Sequence, residues 1–279
     1  MPAPVSLIDV INHFIESDTV SLPVFNTNAS LIQQQLAKPE PDLKIVEKII
    51  NSDQALSSQV LKIANSSFYR GLTEVGTVRA AIMRLGMKEI EKIVLLASSK
   101  NLYVSKDKTI TQVMKKLWQH SVGCAYGTVW LARRYEYGVD QSQAFFAGLF
   151  HDVGKLLILI VIEQIKLKNK TLKLTDALLI EAMAKLHTKE GAKMLNQWNM
   201  PQYFCDIAQD HHTDTFDNKN FLLILVRMAN QVCHKLGIGL AHEPNLLLAA
   251  TLEASLLNLT EIDLAELEIA LEDTKVLTS

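Results

Sequence analysis

Six side chains between positions 120 and 212 stand out as candidate metal ligands: His120, His151, Asp152, His187, His211 and His212. Five of the eight histidines thus fall on, or at the ends of, runs whose apolar residues recur at helical spacing. One histidine on an apolar stripe is ordinarily a core or boundary residue satisfied by its neighbours. Several of them with an aspartate are different, because bundles hold metals by projecting imidazoles and carboxylates inward from facing helices. Imidazole nitrogen with carboxylate oxygen suits zinc, iron, manganese or nickel better than calcium. An aspartate such as Asp152 can bridge two ions, and a binuclear centre generates hydroxide and clamps a phosphate. The pattern predicts a divalent transition-metal site, mononuclear or binuclear.

Helices must position these groups. Val113, Leu117, His120, Cys124 and Leu131 share one stripe, with Gly123 and Gly127 beside it to admit a close neighbour. The apolar run Ala144 to Phe150 leads directly into His151-Asp152. Leu179, Met183, His187, Met194 and Trp198 form another stripe, with Gly191 opposite. Pro201 starts a helix that ends at His211-His212, and the helix predicted over Leu222 to Leu236 carries Asn230 beside Val226 and Cys233. Upstream, apolar spacing predicts two helices between Leu43 and Ala64, divided at Asn51-Ser52-Asp53, where Ser52 or Asp53 supplies an N-cap. A run from Val78 stops at Gly86, and another passes through Ile90, Val94 and Ala97. The polar stretch Val104 to Thr111 suggests a boundary between an N-terminal helical subdomain, 1–110, and a helical core, 111–279. Two further helices, Leu246 to Leu257 and Leu264 to Leu271, are expected at the end.

Composition agrees with an all-α fold. Gly and Pro supply only 11 and 7 of 279 residues, too few for the frequent turns of a β-sandwich or barrel. At 48% hydrophobic and a formal charge of −2, the chain has apolar surface enough to fold rather than remain disordered. The longest aliphatic run, Leu156 to Ile162, falls well short of the ~20 apolar residues of a spanning helix, so no membrane role is expected. MPAPVSLIDV lacks the features of a signal peptide, and Cys124, Cys205 and Cys233 are odd in number and widely spaced, which together predict a reduced, cytoplasmic protein. Twenty-eight basic against 30 acidic residues give no field for nucleic acid. Lys166, Lys168, Lys170 and Lys173 are expected in a solvated loop, Trp118, Trp130 and Trp198 in the core, and His13, His234 and His242 at the surface or its boundary.

The segment His151-Asp152-Val153-Gly154-Lys155 resembles the signature of the HD superfamily of metal-dependent phosphohydrolases. Leu22-Pro23, the stretch DQALSSQVLKIANSSFY from Asp53 to Tyr69, and AIMRLG from Ala81 to Gly86 narrow the likeness to the HDOD domain, the HD-related output domain of bacterial signalling proteins. The resemblance covers about residues 15–235 and implies an HD-type helical bundle. It implies His151 and Asp152 as the defining ligand pair, His120 as the further ligand of a first metal, and His187 with one or both of His211 and His212 at a second. Lys155 matches a lysine that faces the substrate phosphate in catalytic relatives; its other reading is a surface lysine past a helix end. Asn65, Ser66 and Ser67 belong to the same signature, and caps are their simplest use.

Two departures from the pattern weigh on function. Asn230 stands where the resemblance implies a final metal-binding aspartate, and an uncharged amide binds an ion more weakly. The cyclic-dinucleotide phosphodiesterase branch follows its paired histidines with Gly-Tyr-Pro, whereas His211-His212 here runs into Thr213-Asp214-Thr215-Phe216. Lys116, one turn before His120, replaces a carboxylate of that branch and opposes a third metal. The resemblance thus implies a regulatory protein that acts through a signalling partner and keeps a partly degenerate metal centre. The alternative is a phosphohydrolase acting on a nucleotide or other phosphate ester, with Asp152 and Lys155 catalytic.

Overall fold

A computed structural model describes residues 6–16, 25–36, 38–69, 71–134, 137–169 and 175–278. Leu22-Pro23 and the lysines Lys170 and Lys173 lie outside the described residues. Within them every regular element is helical, as composition requires. The first six helices are α1 (Leu7–Glu16), α2 (Thr27–Leu36), α3 (Leu43–Asn51), α4 (Gln54–Ala64), α5 (Val78–Leu85) and α6 (Met87–Lys100). The break between α3 and α4 falls where expected, and Asp53 rather than Ser52 makes the cap, accepting from the Leu56 N–H at 3.0 Å. Helix α5 ends at Gly86, whose φ of 84° an L side chain rarely adopts.

The signature residues of this segment hold it together. The Asn65 amide closes the loop after α4 by donating to the Val75 carbonyl and accepting the Val75 N–H, both at 2.9 Å. Arg84 donates to the Thr73 carbonyl at 2.9 Å and to the Ala64 carbonyl at the end of α4. Tyr69 donates to Glu89 at 2.7 Å, and Glu89 also holds the buried Lys92 at 2.9 Å and Arg133 at 3.3 Å. Asn65→Asp turns the side-chain donor into a second acceptor facing the Val75 carbonyl. We expect a loss of about 2 kcal/mol in chemical denaturation, and an unchanged denaturation midpoint would show that the loop does not rely on this pair.

After the loop 101–107 come α7 (Lys108–Arg134), α8 (Gln141–Phe150), α9 (Val153–Lys168), α10 (Asp176–Gln197), α11 (Gln202–Asp210) and α12 (Phe221–Lys235). The chain finishes with a 3-10 turn at Leu248–Ala250, α13 (Leu252–Leu256), α14 (Glu261–Asp273) and a 3-10 segment at Thr274–Thr278. The helix anticipated from Leu246 is therefore divided, because Thr251 turns extended (ψ 151°) and caps α13 by accepting from Ala254. Lys166 and Lys168 belong to the last turn of α9, not to a loop, and Lys166 pairs with Asp107.

Helix α7, 27 residues long, is the axis of the molecule: it packs along α8, α12 and α14. One apolar cluster runs from Ile11 through α6 to α11 and on to Leu277, and a second gathers α12 to α14 against Leu131 and Cys124. Gln141–Lys168 is long and apolar enough to cross a membrane by length and composition, but 89% of its most apolar window is buried inside the fold. The small residues act as anticipated. A Cβ on Gly123 would meet Cys233 Sγ at 2.9 Å, and one on Gly127 would meet Ala229 Cβ at 3.0 Å, which is how α12 comes so close.

Candidate metal centre

His151 and Asp152 occupy the turn between α8 and α9, two apolar helices that leave the pair 1% exposed each. Asp152 sits in the N-cap position of α9 yet makes no side-chain cap. An aspartate there would ordinarily bond the helix's free N–H groups. Here its carboxylate turns instead toward four imidazoles from four parts of the chain. Oδ2 lies 3.4 Å from His120 Nε2 and 3.5 Å from His151 Nε2. Oδ1 lies 3.5 Å from His187 Nε2 and 3.3 Å from His211 Nε2. His120 comes from α7, His187 from α10 and His211 from the end of α11.

The far side of each ring fixes its tautomer. His151 Nδ1 bonds the Gly148 carbonyl and His187 Nδ1 the Met183 carbonyl, each at 2.8 Å. His211 Nδ1 bonds the Ala208 carbonyl at 3.0 Å and His120 Nδ1 the Ile238 carbonyl at 3.1 Å. A carbonyl only accepts, so each Nδ1 carries a hydrogen, and wherever the ring is neutral its lone pair lies on Nε2, facing the centre. The Ile238 carbonyl reaches His120 because Gly239, at φ 123°, lays the backbone on the ring; a Cβ there would come within 2.8 Å of His120 Cβ.

Lone pairs therefore converge on a carboxylate. The Nε2 atoms of His151, His187 and His211 and Asp152 Oδ1 are buried without a hydrogen-bond partner. Burying such acceptors unpaired is costly, and one cation among them would satisfy several at once. Burial would raise the Asp152 pKa, but Lys155 and the surrounding histidines hold it well below the usual carboxylate range. Burial presses His151 far down and His187 down to about 4, which keeps both in the neutral, metal-binding form. For His120, burial is outweighed by hydrogen bonds to Asp152 and Cys233, which lift it to about 9.

By ligand-atom spacing the groups fall into two sets that share Asp152. One is His120, His151 and Asp152; the other is Asp152, His187, His211 and the exposed His212. This is the grouping the sequence resemblance implies, and the donor set fits a divalent transition metal. Lys155 lies in the first turn of α9, not past a helix end, with Nζ 2.6 Å from Asp152 Oδ2. A cleft of about 510 Å³ has His120, Asp152 and His187 in its lining and is walled by Lys155, Met183, His212, His234 and Leu240. Asn230, on α12, is buried.

Two features escaped sequence reasoning. His234 is half-buried at the boundary, as expected, but it has a partner: its ring stacks on His120 at 5.6 Å and borders the cleft. Cys124 and Cys233 bring their sulfurs to 3.7 Å, with Cys124 Sγ 3.5 Å from His120 Nε2, so His120 belongs also to a histidine–dithiol group. The spacing of Cys124 one turn beyond His120 was the available signal; its pairing with Cys233, 109 residues on, had none. His13 and His242 are exposed, as expected.

The sequence profile of the HDOD domain matches residues 22–214. A crystal structure of an HDOD domain protein from Geobacter sulfurreducens superposes with a TM-score of 0.74 at 18% identity, covering 97% of this chain and 95% of that one. In sequence, an uncharacterized protein of Treponema pallidum is 21% identical over 189 residues, 65% of this chain and 36% of its own length. Cyclic di-GMP phosphodiesterase CdgJ of Vibrio cholerae is 28% identical over 124 residues, 44% of this chain and 27% of CdgJ. The chain thus spans about a third or less of the length of the curated relatives it matches. With the profile covering more than half of its residues, the chain belongs to the HDOD family.

Proposed function

We propose that this chain is a signal-transduction module that holds two divalent transition-metal ions around Asp152 and acts by contact with a signalling protein partner. The observation that carries the reading is the convergence of buried, partnerless Nε2 atoms on one carboxylate, each ring locked by a backbone carbonyl behind it. His120, His151 and Asp152 would hold the first ion; Asp152, His187, His211 and His212 the second, with iron, manganese, nickel or zinc all suited to the donors. Such ions, when bound, polarise a phosphoryl oxygen and lower the pKa of a bound water. Asn230 supports a regulatory role over strong catalysis, because a neutral amide stands where the resemblance implies a carboxylate and its Oδ1 is left unpaired. Asn230→Asp is expected to tighten metal binding about tenfold in competition with a chelating dye. Unchanged affinity would place Asn230 outside the ligand shell.

Lys155 favours a second reading. It lies against Asp152 in the wall of the cleft, where its charge could meet the phosphoryl group of a phosphate ester, with Asp152 and Lys155 as the catalytic pair. CdgJ carries the name of a phosphodiesterase, which lends this reading a precedent among relatives. Phosphomonoesters and phosphodiesters assayed with manganese, iron or nickel separate the two. The regulatory reading expects no turnover above that of Asp152→Ala; turnover that this substitution abolishes would overturn it in favour of the phosphohydrolase.

A further inference from the structure

Leu117 and His120 of α7 border the metal cleft, whereas Trp118 between them borders a separate cavity of about 470 Å³. That cavity lies where α4 and α6 meet α7 and the final 3-10 segment, and its volume is that of a small-molecule site. Its wall is mixed in a specific way. Trp118 is 4% exposed, and its indole N–H, a donor only, is buried with no acceptor. The Ser66 hydroxyl is likewise buried without a partner. Lys62 and Lys100 add two positive charges. Burial and the charges of Lys62 and Lys115 push Lys100 below its ordinary value, with no carboxylate of the described residues among the groups acting on it. Leu96 and Leu277 supply apolar surface.

A hydrocarbon alone would displace water from the two lysine charges and offer no counter-charge in its place. A cation would be repelled by the lysines, and a neutral polar ligand would leave their charges unbalanced. We propose that this cavity is a binding site for a small amphiphilic organic anion, its carboxylate or phosphate head held by Lys62 and Lys100 and its apolar body against Trp118, Leu96 and Leu277. The site gives the module a small-molecule input separate from the metal cleft, and it stands independently of whether the centre at Asp152 binds metal.

Fluorine NMR of the full chain labelled with 5-fluorotryptophan tests this directly, since the three tryptophans give three signals and Trp118→Phe assigns the one at the cavity. The probes are 2-naphthoate, 2-naphthyl phosphate and the uncharged 2-naphthalenemethanol. At least one anion is expected to shift the Trp118 signal saturably, and the tighter of the two identifies the head group. The alcohol is expected to bind at least tenfold more weakly. Lys62→Glu with Lys100→Glu should weaken the anion at least tenfold while the Trp130 and Trp198 signals keep their positions, which reports an intact fold. Lys155→Ala, in the other cleft, should leave the titration unchanged. The proposal is overturned if neither anion moves Trp118, if the charge-reversed protein binds as tightly as the parent, if the alcohol matches the anions, or if Lys155→Ala abolishes the shift.

Discussion

Replacing Asp152 with alanine is expected to remove both ions at once and, with them, most of the protein's response to metal. The parent should carry about two transition-metal ions per chain and the variant a background level. Asp152 is the one residue common to both ligand groups, and its two oxygens divide the imidazoles between them, His120 and His151 on one and His187 and His211 on the other. A ligand that binds only the folded state at about a thousand times its Kd adds about 4 kcal/mol, which for a chain of this size raises Tm by roughly 10 °C. Chelation should therefore lower the parent's Tm by that amount and leave the variant's unchanged. The variant should still fold, because Lys155, which loses its partner, is 17% exposed and can turn into the cleft. A variant that retained metal, or melted with the parent's sensitivity to chelator, would show that Asp152 is not the bridge.

The second large effect comes from a residue with no side chain. A Cβ on Gly154 would lie 1.9 Å from the His187 carbonyl oxygen and 2.6 Å from the Gly191 nitrogen. Both are backbone atoms, so no rotamer change relieves the contact, and α9 and α10 must move apart. Overpacking against flexible side chains costs about 1–3 kcal/mol. For Gly154→Ala the loss should exceed about 4 kcal/mol, enough to lower Tm by roughly 10 °C or to prevent folding. Separating the helices also displaces His187, so whatever protein folds should lose metal. Gly76→Ala is the control: a Cβ there meets nothing within 4 Å, and stability should change by less than about 0.5 kcal/mol. Gly154→Ala melting within about 3 °C of the parent would contradict the close packing of α9 on α10.

The clustered histidines and Asp152 were legible because each lies where an apolar helical stripe meets its end or its inner face. His120 and His187 follow the spacing of Leu117 and Met183, and the run into Phe150 delivers His151 and Asp152 to an interior turn. The resemblance implied a division of the ligands between two ions, which spacing alone cannot reveal, since it depends on which carboxylate oxygen each ring faces. What stayed hidden was contact between distant helices. His234 reaches His120 only because Gly123 and Gly127 let α12 settle on α7, and the same approach brings Cys233 to Cys124. The second cavity was hidden for a like reason: Trp118 read as core, which its burial bears out, but its unpaired N–H depends on the neighbours that α4, α6 and the last turn bring up.

The central claim is that Asp152 lies between two metal ions. Anomalous diffraction from crystals of protein purified without added metal, recorded on both sides of the absorption edge of the element that fluorescence identifies, tests it most directly. Two peaks are predicted, one within bonding distance of His120, His151 and Asp152, the other within bonding distance of Asp152, His187, His211 and His212. No peak in this cluster after the protein is incubated with iron, manganese, nickel and zinc in turn, or a metal bound away from Asp152, would contradict the account.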